Sequence, residues 1–207
     1  MAIKAIIFDL GGVIVELDFS KFYEEIISPS PLNKPQAPLM LKFFRQSDIY
    51  HQGNMSDEEF YHLACNILQT DKCILDEERF FKAFNSIISG KNDEIIEILK
   101  KIKENYKLMC ISNINSSHWE YLQQKNWEFI EYFDELILSH EIHMTKPNPE
   151  IYQYTIEKAD CNPNEILFID DGLNNVQAAE KFGIIGIKYQ NPKQLIRELS
   201  NFGVKVE

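Results

Sequence analysis

No stretch of this 207-residue chain approaches the roughly 20 apolar residues that a membrane helix needs, because Asp, Glu or Lys interrupts every apolar run within a few positions. A spanning segment is therefore not expected. Cysteine is scarce, and Cys65, Cys73, Cys110 and Cys161 stand apart with no close pair, which suits reduced thiols better than a disulfide framework or a zinc site. Positive charge is also short. Lys and Arg number 21 against 32 Asp and Glu, a formal net charge of −11, so the basic footprint needed for nucleic acid or an anionic membrane is missing. The partners expected are small molecules. An anionic one remains compatible if a metal ion and one lysine make the site locally positive. The start, Met1-Ala2-Ile3-Lys4, shows none of the charged, apolar and small-residue regions of a secretory signal, so the cytoplasm is the expected compartment. Without secretion, the glycosylation patterns Asn54-Met55-Ser56 and Asn115-Ser116-Ser117 carry little meaning. Repeats and low-complexity tracts are absent.

What is present begins with Ala5-Ile6-Ile7-Phe8, an unbroken apolar run closed by Asp9 and followed by Leu10-Gly11-Gly12-Val13. This reads as a buried parallel strand that delivers a carboxylate to a tight turn at its C-terminal edge, where open α/β sheets place their sites. With 44% hydrophobic residues the chain can bury one sizeable core and a smaller second one.

Beyond about residue 90, strands and helices alternate. Helices are expected over Asp93 to Lys103, His118 to Gln124, Asn148 to Lys158, Leu173 to Phe182 and Pro192 to Leu199. Strands are expected over Tyr106 to Ile111, Glu135 to Leu138, Ile166 to Ile169 and Ile184 to Lys188. Such alternation predicts an α/β fold, a Rossmann-like parallel sheet with helices on both faces. Residues 18 to 89 read as helices alone: Phe19 to Ile27, Leu39 to Arg45, Glu58 to Leu68 and Glu77 to Phe84. The expected organisation is thus a core of residues 1–17 and 90–207 with a helical cap of residues 18–89 inserted after the first strand. Between the first two insert helices, the segment from Ser28 to Pro38 holds four prolines and reads as a surface loop. Ser56-Asp57-Glu58-Glu59 has the form of a capping box opening the third. The insert aromatics Phe43, Phe44, Phe60, Tyr61, Phe80, Phe81 and Phe84 are expected to pack its own core.

Four segments carry chemistry, each where a strand ends or a helix begins: Asp9-Leu10-Gly11-Gly12-Val13, Ser112-Asn113, Lys146-Pro147 and Asp170-Asp171. Two carboxylate clusters at one sheet edge would repel without a hard cation between them, and oxygen-only ligation suits Mg²⁺. A hydroxyl, an amide and an ammonium at the same edge suit a phosphate. These four segments, in this order and across essentially the whole chain, resemble the haloacid dehalogenase superfamily, within it the phosphatases with a small helical cap. The resemblance implies a Mg²⁺-dependent phosphatase in which Asp9 attacks phosphorus, Ser112 and Asn113 bind the transferring group, and Lys146 neutralises nucleophile and phosphate. It further implies that Asp9, the backbone of Gly11, Asp170 and Asp171 hold the metal, with Asp170 the direct ligand ahead of Asp171.

One departure stands out. The family's first motif usually carries a second aspartate, an acid and base for the leaving group and water, where this chain has Gly11. General acid help is typically about 10²- to 10⁴-fold. Asp18, Tyr50, His51 or an ordered water are the candidate substitutes. Asp-Leu-Gly-Gly-Val, with Gly53-Asn54-Met55-Ser56-Asp57-Glu58-Glu59-Phe60, is similar to an α-glucose-1-phosphate type of sugar-phosphate phosphatase and to the phosphatase-like domains of the epoxide hydrolase group. A small phosphate monoester such as a sugar phosphate is the expected substrate. The competing readings are a haloacid dehalogenase, disfavoured by the Asp170-Asp171 pair, and a non-catalytic binding protein, disfavoured by the retention of Asp9, Lys146 and Asp170. His140-Glu141-Ile142-His143 lacks the spacing of the zinc-binding His-Glu-x-x-His helix. Both its histidines, with His62, His118, Trp119 and Trp127, are expected to be structural.

Overall fold

A computed structural model describes residues 2–32, 36–70 and 75–206. It contains strands β1 (Ala5–Phe8), β2 (Val15–Leu17), β3 (Ile88–Lys91), β4 (Lys107–Ser112), β5 (Glu135–Leu138), β6 (Ile166–Asp170) and β7 (Ile185–Lys188). Five of them form one parallel sheet in the order β5-β4-β1-β6-β7. The chain winds outward from β1 to β4 and β5, then returns to the other side of β1 with β6 and β7. The β1–β6 pair is therefore the place where winding reverses, the point at which open sheets of this kind leave a crevice for ligands.

Alternation along the strands explains why β1 and β6 look continuously apolar. Ile6, Phe8, Leu108, Cys110, Leu167 and Ile169 face a core completed by helices Asp93–Ile102, Ser116–Gln124 and Pro192–Asn201. Ala5, Ile7, Met109, Ile111 and Phe168 face the opposite core, closed by helices Pro149–Ala159 and Leu173–Glu180. A central strand covered on both faces has no solvated side on which polar residues are favoured.

Residues between β2 and β3 pack a separate apolar cluster in which Phe22, Phe43, Phe60, Phe80 and Phe84 are fully buried. Most of their rings meet at edge-on or tilted angles, such as Phe22 and Phe43 with centroids 5.2 Å apart, while Phe80 and Phe84 stack nearly parallel. The capping box at Ser56 forms as expected, with Glu59 N–H donating to Ser56 Oγ and Ser56 N–H donating to Glu59 Oε2.

Several local features differ from the sequence reading. The stretch read as helical throughout is entered and left through an antiparallel ribbon, with Val15 opposite Lys91 and Glu16 opposite Gly90. Its strands of three and four residues, half-exposed, are too short to show a period. The first insert helix is one α-turn, Ser20–Phe22, continuing as a wider π-turn over Tyr23–Ile27. The second begins at Gln36, so Pro38 lies in its first turn, where backbone N–H groups have no intrahelical acceptor and proline costs nothing. Loop residues 33–35 and Cys73 lie outside the described residues. Single helical turns at Asp48–His51 and Ser139–Ile142 had no sequence signal of their own. Among the described residues, no helix is long and apolar enough to cross a membrane.

Candidate active site

Asp9 leaves the C-terminal end of β1 with its N–H bonded to the Ile169 carbonyl of β6, so the strand pairing itself places its carboxylate above the crevice. Its Oδ1 accepts from Leu10 N–H at 2.7 Å and meets Lys146 Nζ at 2.9 Å. Lys146 Nζ also lies 2.6 Å from Asp170 Oδ2, at the end of β6. The ammonium thus bridges carboxylates from two adjacent strands, and Lys146, Asp9 and Asp170 are all buried. A buried charge of this kind persists only where opposite charges and hydrogen bonds surround it.

Asn113 holds that lysine from behind. Its Nδ2 donates to the Lys146 carbonyl and its Oδ1 accepts from Lys146 N–H, both at 2.8 Å. The same amide keeps its second Nδ2 hydrogen, and Asn113 lines the cavity while it braces the Lys146 backbone. Ser112, the last residue of β4, is buried and lines the same cavity as Asp9 and Lys146. Asp170 Oδ1 accepts from Gly172 N–H at 2.7 Å and from Asn175 Nδ2 at 3.0 Å. Asn175 was missed in the sequence. Its position two residues into a helix, five after Asp170, was the available signal, since only that first turn can reach back to the strand end.

Two glycines set the geometry of the loops. Gly12 adopts φ +77°, and a Cβ there would lie 2.5 Å from Asp171 Oδ2. The turn is therefore open to glycine because of both its backbone angle and its neighbour. Gly11 forms an isolated parallel bridge to Val15, at the start of the ribbon. With no side chain, Gly11 brings no acid into the site.

Burial dominates the electrostatics. Desolvation pushes the Asp9 carboxyl up to about 7, against the pull of Lys146 and with Asp170 adding to the rise. Burial alone would lower the Lys146 ammonium, but the Asp9 and Asp170 carboxylates outweigh it and hold it above its ordinary value. Asp171 is raised as well, first by partial burial and then by the charge of Asp170. Carboxylate oxygens of Asp9, Asp170 and Asp171 come within 4.8 Å of one another, a purely oxygen donor set that fits a hard divalent cation such as Mg²⁺.

Of the three side chains considered as replacements for the missing aspartate, one reaches the cavity. Asp18 is exposed and accepts from Ser20 N–H. Tyr50 is fully buried with its hydroxyl on Asp57 Oδ1. His51 does line the cavity, yet its Nδ1 lies 3.0 Å from the Ser47 carbonyl and its Nε2 3.4 Å from Asn115 Nδ2. These partners fit a neutral ring with its proton on Nδ1, and burial holds its pKa below the ordinary value. His118 is fixed alike, with Nδ1 facing Asn115 Nδ2 and Nε2 facing the Phe84 carbonyl, and burial lowers it to about 3. His140 and His143 contact the carbonyls of Ile114 and Gln52. Trp119 is buried and Trp127 packs against the same core.

Above the carboxylates opens a chamber of about 670 Å³, roofed by the insert and by the β2–β3 ribbon. The insert sits close to the sheet edge. Ser139 Oγ donates to the His51 carbonyl at 2.6 Å, Ser116 Oγ to Asp57 Oδ1 at 3.0 Å, and a Cβ on Gly53 would fall 2.0 Å from the His140 carbonyl.

Residues 3–183 match the family model for haloacid dehalogenase-like hydrolases. The chain belongs to that family. A D-ribitol-5-phosphate phosphatase of Bacteroides thetaiotaomicron is 28% identical over 96% of this chain and 97% of its own length. A sesquiterpene phosphatase of Aspergillus oryzae is 25% identical over 89% of this chain and 88% of its own. A haloacid dehalogenase family enzyme of B. thetaiotaomicron, solved with magnesium and inorganic phosphate, superposes with a TM-score of 0.78 at 26% identity, covering 91% of this chain and 95% of the other. As a haloacid dehalogenase-like hydrolase, the chain keeps the sheet, the strand-end acids and the lysine in one crevice.

Proposed function

We propose that the chain is a Mg²⁺-dependent phosphomonoesterase that works through an aspartyl-phosphate intermediate on Asp9. The observation that carries this reading is the cluster of Asp9, Asp170 and Asp171 around Lys146 at the reversal point of the sheet. A pure scaffold has no use for three converging carboxylates, two of them bridged by a buried ammonium. The full-length likeness to named phosphatases supports it. The helices of residues 18–89 serve as the cap that closes the chamber, and Asp9, Asp170 and Asp171 with the Gly11 carbonyl would hold the metal.

In the first step an Asp9 carboxylate oxygen attacks phosphorus, an acyl-phosphate bond forms, and the ester P–O bond breaks with its electron pair leaving on the alcohol oxygen. Lys146 and the Ser112 hydroxyl face the phosphoryl oxygens, where fixed positive charge and a donor favour the transition state over the ground state. Mg²⁺, when bound, would supply further charge neutralisation there. Asn113 keeps Lys146 in place and Asn175 keeps Asp170 in place. Water then attacks phosphorus, its proton passing to the hydroxide left when water protonates the alkoxide, the acyl-phosphate P–O bond breaks with its electron pair returning to Asp9, and inorganic phosphate is released. Asp18, Tyr50 and His51 are each engaged elsewhere, so the departing alkoxide takes its proton from water in the chamber.

Release of phosphate from p-nitrophenyl phosphate, with Mg²⁺ or with EDTA, tests this in wild type and Asp9→Asn. Metal-dependent turnover abolished in Asp9→Asn is the expected result. Turnover that survives in Asp9→Asn would refute the aspartyl-phosphate route, and Mg²⁺-independent turnover of a chloro-acid would favour a dehalogenase.

A further inference from the structure

Polar groups in the chamber gather at one end. Asp9, Ser112, Asn113, Lys146 and Asn175 lie at the sheet edge, while the opposite walls carry Leu17, Phe19, Leu41, Phe44, Ile88 and Leu122. His51 and His118 also reach the wall, but the ring nitrogens of both are already occupied by the carbonyls of Ser47 and Phe84 and by Asn115. A polyol entering the chamber would bury hydroxyls with no partner in these walls, which is unfavourable. A hydrocarbon would meet mainly apolar side chains.

The rim repeats the pattern. Seven large apolar side chains are exposed among the described residues, and Leu17, Phe19 and Leu41 of these line this one chamber. Leu41 is 61% exposed, far from what core packing would give. Leu17 comes from the ribbon, Leu41 and Phe44 from the helix Gln36–Gln46, so two separate elements converge on one apolar mouth. Exposed apolar groups that cluster beside a charged site mark a place where an apolar ligand is taken up.

The geometry points to a phosphate monoester of a hydrophobic alcohol, with an alkyl or isoprenoid-like chain in the apolar chamber and its phosphate at Asp9 and Lys146. This assignment rests on the phosphatase reading above and narrows its substrate from a sugar phosphate to an amphiphile. The chain's burial is the same in ground and transition states, so it acts mainly on KM, and kcat/KM rises with chain length.

Phosphate release from ethyl, butyl, hexyl and octyl phosphates, below their micelle-forming concentrations, is the direct test, with p-nitrophenyl phosphate and ribitol 5-phosphate as references. Each methylene buried is expected to raise kcat/KM by up to about fourfold until the chamber is full, and octyl phosphate is expected to exceed ribitol 5-phosphate. In Leu41→Gln, and separately in Phe44→Ser, the octyl-to-ethyl ratio of kcat/KM is expected to fall. Leu41 is exposed, so its replacement does not threaten folding. Turnover of p-nitrophenyl phosphate with a flat chain-length series, or a preference for ribitol 5-phosphate, would overturn this assignment and leave the phosphatase reading standing. Absence of turnover on every ester would remove both.

Discussion

Replacing Gly12 by alanine separates two physical effects that meet at one atom. The new Cβ would sit 2.5 Å from Asp171 Oδ2 and 2.9 Å from its Cγ, well inside van der Waals contact, and the residue would have to hold φ +77°. The left-handed backbone costs an L-residue about 1–2 kcal/mol, which for a domain of this size lowers the melting temperature by about 2–8 °C. The collision itself is relieved by rotating the Asp171 side chain, so it takes little further stability but moves a carboxylate out of the Asp9, Asp170 and Asp171 cluster. Displacing a group at that level typically weakens metal binding by about 10- to 100-fold. Gly12→Asn is the control, because asparagine tolerates the left-handed region while placing the same Cβ against Asp171. Thermal melts and Mg²⁺ titrations of phosphatase activity are the measurements. The alanine variant should melt lower than the asparagine variant, and both should require more Mg²⁺ than wild type. Wild-type Mg²⁺ half-saturation in both variants would show that Asp171 does not contribute to the metal site, and equal melting of the two would refute the backbone argument.

Three further outcomes follow from the same geometry. Lys146→Met leaves the buried Asp9 and Asp170 carboxylates without their bridging cation and should cost about 3–5 kcal/mol at pH 7 in urea unfolding, with a smaller loss at pH 5, where the raised Asp9 carboxyl is protonated. An equal loss at both pH values would show that the charge pairing is not responsible. His118, held at about 3, and His51, also lowered, both bind protons more readily when unfolded. The His118 contribution is therefore complete above the ordinary value of about 6.5 and is lost as pH falls toward 3, with a slope of about 1.4 kcal/mol per pH unit, and His51 adds in the same direction. Urea midpoints at pH 7, 6 and 5 should show this decline, and His118→Gln should flatten it; an unchanged slope in that variant would contradict the assignment. Finally, Asp18→Asn, Tyr50→Phe and His51→Gln should each keep kcat within about tenfold of wild type, since general acid help is typically at least 10²-fold. A larger fall in any one of them, with its Tm unchanged, would identify the acid that replaces the missing aspartate.

The parts of this molecule that were legible in the sequence are those governed by local patterning. Ile6, Ile7 and Phe8 announce a central strand because a parallel strand is covered on both faces, and the β5 range Glu135–Leu138 coincides with its expected bounds. Ile95, Ile96, Ile98, Leu99 and Ile102 give their helix away by spacing, and Ser56 with Glu59 marks a helix start through bonds confined to four residues. The order of the four chemical segments pointed to the family, since strand-end residues are brought together by any parallel sheet wound this way.

Tertiary structure decided what distant segments do to one another. Asn113 gains a bracing role only because the loop carrying Lys146 folds back onto it from 33 residues away. His51 looked available as an acid until Ser47 and Asn115 occupied both ring nitrogens. The ribbon at β2 and β3 exists because segments more than 70 residues apart complete each other's hydrogen bonds, which no local period encodes. Phe44 packs against the insert core as its pattern predicts, and it also lines the chamber because of how helix Gln36–Gln46 is turned over the sheet edge. Composition along the chain fixes which side chains are apolar. The wall they build above Asp9 arises from the approach of separate elements, each placed by packing and hydrogen bonds over long sequence distances.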